Sequence, residues 1–287
     1  MTARILDRGY RRYSGDRRGA RGAIRTLVLH SVQRALGLRR SAWAKLLPFG
    51  IVALAYVPAI VFVGVVSLVP DSDLTDFALP SYSSYFSYML LLVVLFVAFV
   101  APEILCTDRR TGMLGVYLAS PLTRDTYLAA KALATAAVLA LVTIGPPLVM
   151  LVAFIIQGEG PDGPAEVAST LARIAGAGLA ISILYTAFSM GISSLTDRKA
   201  FATAGLILFF LMSNVVTGVL VGVLQVGDDA VALNIFVLPF ALVEKIHGES
   251  TDFSSVTTTA CVLGTLAWTA VWATVCRVRY AHLQVTR

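Results

Sequence analysis

Residues 77–102 read FALPSYSSYFSYMLLLVVLFVAFVAP, and no Asp, Glu, Lys or Arg occurs between Asp76 and Glu103. A helix needs roughly 20 apolar residues to cross about 30 Å of hydrocarbon at about 1.5 Å per residue. Each charge at the bilayer centre costs on the order of 2.5–3.5 kcal/mol. The stretch therefore reads as a membrane span. Five others share its character: Lys45 to Asp71, Lys131 to Glu159, Arg173 to Asp197, Lys199 to Asp228, and Asp252 to Arg277. The shortest, after Arg173, holds 23 charge-free residues, whereas the longest gap outside the set, Asp229 to Glu244, holds 14. That break separates crossing from non-crossing segments and predicts six spans.

Composition agrees. Apolar residues make up 57% of the 287-residue chain and charged residues 14%, against about 25% charged in a soluble domain. So few charges cannot coat a globule, and lipid must be the solvent for much of the surface. The apolar runs are continuous rather than alternating ten-residue pieces, so helices and not barrel strands are expected. The fold class is an all-α membrane protein with spans near 46–69, 86–105, 128–156, 168–193, 200–225 and 256–276. The first is long enough to span and has no small-residue cleavage site after it, unlike a secretory signal. The basic start of the chain loosely resembles a transit peptide, but charge bias accounts for it equally.

Orientation follows from Lys and Arg. Residues 1–45 hold 12 of the 23, and segments 103–131, 197–199 and 277–287 hold four, two and three. The alternate loops are acidic: Asp71, Asp73 and Asp76 in the first, Glu159, Asp162 and Glu166 in the second. The third has Lys245 against five acids. The positive-inside rule puts both termini in the cytoplasm of a cell-membrane protein. The basic excess is thus a topology signal. No nucleic-acid partner is expected, since the Arg residues lack a binding fold or aromatic platform.

Three regions result: a basic N-terminus (1–45), a transmembrane domain (46–276) with loops 103–127 and 227–255, and a cytoplasmic tail (277–287). Within the first, residues 1–19 suit contact with anionic lipid. From Ala20 to about Ala42, Ile24, Leu27, Val28, Ala35 and Leu38 recur at helical steps, with Arg18, Arg21 and Arg25 on a second stripe. That is an amphipathic helix in the membrane interface. Periodicity leaves open whether it is an anchor or a lever for a partner. Pro58, Pro102 and Pro146-Pro147 are expected to kink their helices. Span four, with Ala175-Gly176-Ala177-Gly178, Ser189 and Gly191, suits close helix packing or a protomer interface. Arg173, just inside it, can snorkel outward or make an internal contact. In the last outer loop Ala230–Val243 is apolar, too short to cross, and broken by Pro239. Re-entrant short helices at the outer leaflet, or a helical cap, are expected there.

Catalytic chemistry is sparse. No Walker GxxxxGK[ST] and no HExxH occur, and His30, His247 and His282 are far apart in sequence. Asp71, Asp73 and Asp76 are expected outside, away from prenyl-diphosphate chemistry. Gly227-Asp228-Asp229 lacks the second buried Asp of an intramembrane protease. Cys106, Cys261 and Cys276 fit no metal or disulfide spacing. No mid-membrane charge offers an ion-coupled route, so energy for transport would come from elsewhere.

The first cytoplasmic loop is informative: Pro102-Glu103-Ile104-Leu105-Cys106-Thr107-Asp108-Arg109-Arg110-Thr111-Gly112-Met113-Leu114-Gly115-Val116-Tyr117-Leu118-Ala119-Ser120-Pro121-Leu122-Thr123-Arg124, then Lys131. Thr107 or Asp108 is expected to cap a short helix that Pro121 ends. An exposed Arg pair and apolar Met113, Leu114, Tyr117 and Leu118 would make it an amphipathic peg. By physics alone it could be a plain surface hairpin.

This loop resembles that of the ATP-binding-cassette type-2 permease family: roughly an acidic–basic lead, Gly-Thr-Leu-Glu-x-Leu-Leu-x-x-Pro-x-Ser-Arg, then Lys. Gly112, Leu114, Leu118, Pro121, Thr123 (for Ser), Arg124 and Lys131 match; Met113 replaces Thr and Gly115 an acid. The six spans, interface helix and long last outer loop are similar too. The resemblance implies the non-catalytic membrane subunit of an ATP-driven exporter, paired with a second permease copy or paralogue. ATP and Mg would bind on separate ATPase subunits, with no cofactor on this chain. The coupling helix would use Asp108, Arg109, Arg110, Gly112, Met113, Leu114, Tyr117, Leu118, Pro121 and Arg124, and the interface helix becomes a lever. By the same analogy Phe96 and Phe99 of span two and Phe210, Asn214 and Thr217 of span five line a passage at the dimer axis. Their mostly apolar character suits a hydrophobic or amphipathic cargo. A membrane-embedded enzyme of lipid or isoprenoid metabolism and a non-transporting scaffold or immunity protein are the competing classes.

Overall fold

A computed structural model describes Gly15 and residues 19–38, 42–68, 82–248 and 255–283. Arg18, Asp71, Asp73 and Asp76, on which parts of the sequence reading rest, lie outside the described residues. The helices are α1 (Gly19–Ala35), α2 (Ala42–Leu68), α3 (Tyr82–Phe99), α4 (Ala101–Arg110), α5 (Met113–Ala119) and α6 (Arg124–Thr143). They continue as α7 (Gly145–Gln157), α8 (Gly163–Leu195), α9 (Lys199–Gly218), α10 (Leu238–His247) and α11 (Thr258–Ala281). A π turn at Val219–Val223 and a 3₁₀ turn at Asp228–Leu233 complete them. Six helical segments are long and apolar enough to cross a membrane: Lys45–Gly64, Tyr85–Arg110, Arg124–Gln157, Gly163–Leu195, Lys199–Val223 and Thr258–Ala281. The chain is an all-α membrane protein.

Two spans break at prolines, and at each break a side chain of another helix bonds a nearby backbone carbonyl. Pro102 has no N–H to reach the Ala98 carbonyl four residues back. Thr203 of α9 donates its hydroxyl there instead, at 2.7 Å. The second span therefore survives Pro102 and runs on to Arg110, further than the expected end near residue 105. In the third span α6 gives way to α7 at Gly145-Pro146-Pro147. Tyr56 of α2 donates to the Leu141 carbonyl at 3.1 Å, one turn before the break. A Cβ on Gly145 would lie 1.8 Å from the Tyr56 hydroxyl oxygen, so only glycine admits this approach. At Pro58, by contrast, α2 continues without interruption.

Span four uses its small residues for packing. A Cβ at Gly191 would stand 2.5 Å from the Trp272 ring on α11, and one at Gly178 would stand 2.3 Å from Ile144. Close backbone approach of this kind is what small residues provide where lipid removes the hydrophobic drive between helices. Phe188, Phe209, Phe210 and Trp272 fill the space beside the Gly191 contact, Phe188 lying 5.0 Å from Phe210 and 5.2 Å from Trp272, ring centre to ring centre.

The connection between spans five and six packs back onto the bundle. Leu238, Ala241 and Val243 of α10 are fully buried, against α3, α8 and α11. Pro239 starts this helix rather than breaking it, because an N-terminal position needs no N–H partner. Asp229 is occupied structurally: it accepts from the Thr257 backbone N–H at 2.8 Å and from its hydroxyl at 3.2 Å, fixing the start of α11. Arg173 makes the internal contact, donating to the His247 carbonyl at the end of α10, 3.2 Å away.

Candidate functional site

The helix α1, the loop 111–123 and the ends of α4, α6 and α11 share one face, the terminal face. Its centre is a buried charge cluster. Asp108 has no exposed side-chain surface and Lys131 about 1%. The Lys131 ammonium lies 2.6 Å from Asp108 Oδ2, and Arg34 Nη1 lies 2.7 Å from Oδ1. Tyr127 adds its hydroxyl to Oδ2 at 2.9 Å. Lys131 also donates to Ser31 Oγ at 2.9 Å. Arg34 and Ser31 belong to α1, Asp108 to α4, Tyr127 and Lys131 to α6. One carboxylate thus clamps the interface helix, the end of span two and the start of span three. A buried charge is tolerated only when paired and hydrogen-bonded, and Asp108 accepts three donors.

The expected cap at Thr107 or Asp108 is not what forms. Both residues lie inside α4, and Asp108 falls three and four residues beyond Leu105 and Ile104 on the same buried stripe. The short helix starts instead after Gly112, whose φ of 70° is the left-handed conformation glycine adopts freely. It ends at Ala119, with Ser120 extended before Pro121. Thr123 then caps α6 through a reciprocal capping box with Thr126.

The Arg pair divides. Arg109 turns inward and donates through Nη1 to the Ser194 and Thr196 carbonyls at 2.6 and 3.0 Å, where α8 ends. Arg110 stays exposed. Arg124 treats α11 as Arg109 treats α8, donating to the Ala281 carbonyl and, at 3.1 Å, to that of Leu283. Both guanidiniums satisfy orphan carbonyls at the negative end of a helix. On α5, Leu114 is buried and Tyr117 and Leu118 pack against the core, while Met113 and Val116 are 38% and 62% exposed. Burial and the neighbouring Asp108 charge raise the Tyr117 hydroxyl above its ordinary pKa of 10.0. The outward surface of the peg is Arg110, Met113 and Val116, with Pro121 exposed at its end.

Of the proposed passage residues, Phe96, Phe210 and Thr217 are buried within the single chain. Phe210 sits edge-on to Tyr185 and Phe188. Asn214 accepts from Asn234 at 3.1 Å and so holds the connection to α10. Phe99 is different: it lines a two-lobed cavity opening at the terminal face between α2, α4 and α9. The lobes, about 500 and 960 Å³, share Phe99, Arg110, Asp197 and Lys199. Lys199 pairs with Glu103 at 2.7 Å on its wall.

Sequence reading missed Arg34, Tyr127 and Thr203. The signal for the cluster was present: continuing the helical phase of span two past Pro102 puts Asp108 on the buried face, where it needs cations. Cys106, Cys261 and Cys276 are free and buried.

Residues 22–283 match the family model described as ABC-2 family transporter protein. No curated protein matches the chain.

Proposed function

The chain belongs to the ABC-2 transporter family, and from that premise we propose that it is the membrane half of an ATP-driven exporter. As a member it is a permease component of an ABC transporter. In our reading two permease chains, identical or paralogous, pair in the membrane. Two ATPase subunits, carrying ATP and Mg, dock on the terminal face. The basic excess of that face makes it cytoplasmic. The cargo is hydrophobic or amphipathic.

The observation that supports this best is the Asp108 clamp beside an exposed α5. A displacement of α5 is passed to α4 on one side and α6 on the other. The clamp ties both to α1, so spans two and three move with the interface helix rather than apart from it. ATP-driven closure of the ATPases would then switch the passage between inward- and outward-facing states, which requires differential contact with the two states. Met113 and Val116, apolar and outward, provide that contact surface.

The test is co-purification with a candidate Walker-motif ATPase encoded beside this chain, followed by ATP turnover in vesicles. Val116→Asp is expected to leave the chain folded and to weaken assembly or stimulated turnover about tenfold, as loss of a central apolar contact does. Unchanged assembly and turnover would sink the docking assignment. Turnover of a lipid substrate by the isolated chain would favour an enzyme instead.

A further inference from the structure

The cavity at the terminal face has a charge pattern that packing does not require. Its two lobes carry Arg34, Arg110, Arg198 and Lys199 against Glu103 and Asp197. Lys199 is matched by Glu103, and Arg34 spends one nitrogen on Asp108. The Asp108 cluster itself has two cations for one anion, so it offers no spare negative charge to the wall. Arg110 and Arg198 have no ion pair among the described residues, Arg198 lying over the Phe201 ring at 5.8 Å, and Asp197, which lines both lobes, offsets only one of these two cations. The α9 N-terminus, with Ala200 on the wall and no side-chain cap, adds its positive end to the same space. Below this rim the lining turns apolar: Leu47, Pro48 and Val100 in one lobe, Ala204 and Ile207 in the other, with Phe99 common to both.

We propose that this cavity binds an amphiphile with a net-anionic phosphomonoester headgroup, the head held by Arg110 and Arg198 and the hydrocarbon laid against Phe99 and Ile207. The volumes are those of sites for small organic ligands. Arginine is suited to the head because its planar fork matches phosphate oxygens. The opening lies between the starts of spans one and five, and the ends of spans belong at the membrane interface, so a lipid-like molecule would reach it along the membrane. This deepens the export reading by naming its cargo class, and rests on that reading for the claim of transport.

The experiment is equilibrium binding to the purified full chain in detergent, without any ATPase. Three probes are compared: oleoyl lysophosphatidic acid, oleoyl lysophosphatidylcholine and inorganic phosphate. The acid is expected to bind roughly tenfold tighter than the choline ester, with an affinity that falls as salt rises. Arg110→Ala and Arg198→Ala are each expected to weaken it roughly tenfold. Arg279→Ala, the same charge change at an exposed site on α11, is expected to leave it unchanged. Equal binding of the two lipids overturns the proposal, as does an equal loss in the Arg279 variant. Displacement by phosphate at lipid-like concentrations makes this a free-anion site and also overturns it. A chain that binds the acid selectively yet stimulates no ATPase overturns the export reading alone.

Discussion

Asp108 and Lys131 meet at 2.6 Å with both side chains sealed from solvent. Removing one partner of a buried pair leaves an uncompensated charge and costs about 3–5 kcal/mol. Asp108→Ala strands Lys131 beside Arg34 and is expected to lower the unfolding temperature of the purified chain sharply. Lys131→Met leaves Asp108 with Arg34 and Tyr127, so its loss should be smaller. The double variant is expected to be more stable than the sum of the two losses predicts. Strict additivity in thermal unfolding would mean the pair is not coupled.

The Thr203 hydroxyl replaces a backbone N–H that Pro102 lacks. Thr203→Val should orphan the Ala98 carbonyl and cost about 1–3 kcal/mol. Pro102→Ala restores an amide donor to the same carbonyl. In that background Thr203→Val is expected to be nearly neutral, and a double-mutant cycle in thermal unfolding measures the difference. Equal losses in both backgrounds would show that Thr203 acts through packing alone.

At the bend of span three Gly145 and Tyr56 occupy adjoining space. Gly145→Ala would drive a Cβ to 1.8 Å from the tyrosine oxygen, a contact no real Cβ makes. Either the ring leaves, losing its bond to Leu141, or the bend opens. Destabilisation of about 1–3 kcal/mol is expected, the cost of overpacking. Tyr56→Ala should remove most of the additional penalty, and comparison of the single and double variants by thermal unfolding checks it.

The six crossings were legible because lipid punishes charge so strongly that gaps of 23 and 14 residues separate cleanly. The seat of α10 was not. An apolar stretch too short to cross is equally apolar whether it faces lipid or other spans, and only the contacts of Leu238, Ala241 and Val243 decide. Gly112, Pro121 and Thr123 were read from a motif, and the structure supplies reasons: a left-handed turn, a stop after α5, and a helix cap. Asp108 illustrates the limit. In the sequence it reads as a helix cap or a coupling residue, and its burial follows only when the helix is carried unbroken past a proline. Thr203, some hundred residues from the carbonyl it serves, has no local signature at all.

Arg109 and Arg110 are neighbours in sequence with opposite environments, which separates stability from coupling. Arg109 holds two carbonyls at the end of α8. Arg109→Glu would turn those carbonyls against a negative charge, and loss of two charge-assisted bonds costs about 1.5–3 kcal/mol each. Poor recovery and a lowered unfolding temperature are expected, whether or not an ATPase is present. Arg110 is exposed and has no ion pair among the described residues. Its Glu variant should unfold within about 0.5 kcal/mol of the parent, as surface changes generally do. Its effect belongs to binding: reversed charge beside α5 should depress ATPase stimulation in the reconstituted complex while leaving the isolated chain intact. Should Arg110→Glu destabilise the chain as much as Arg109→Glu, the division of the pair into an inward tie and an outward contact would be wrong.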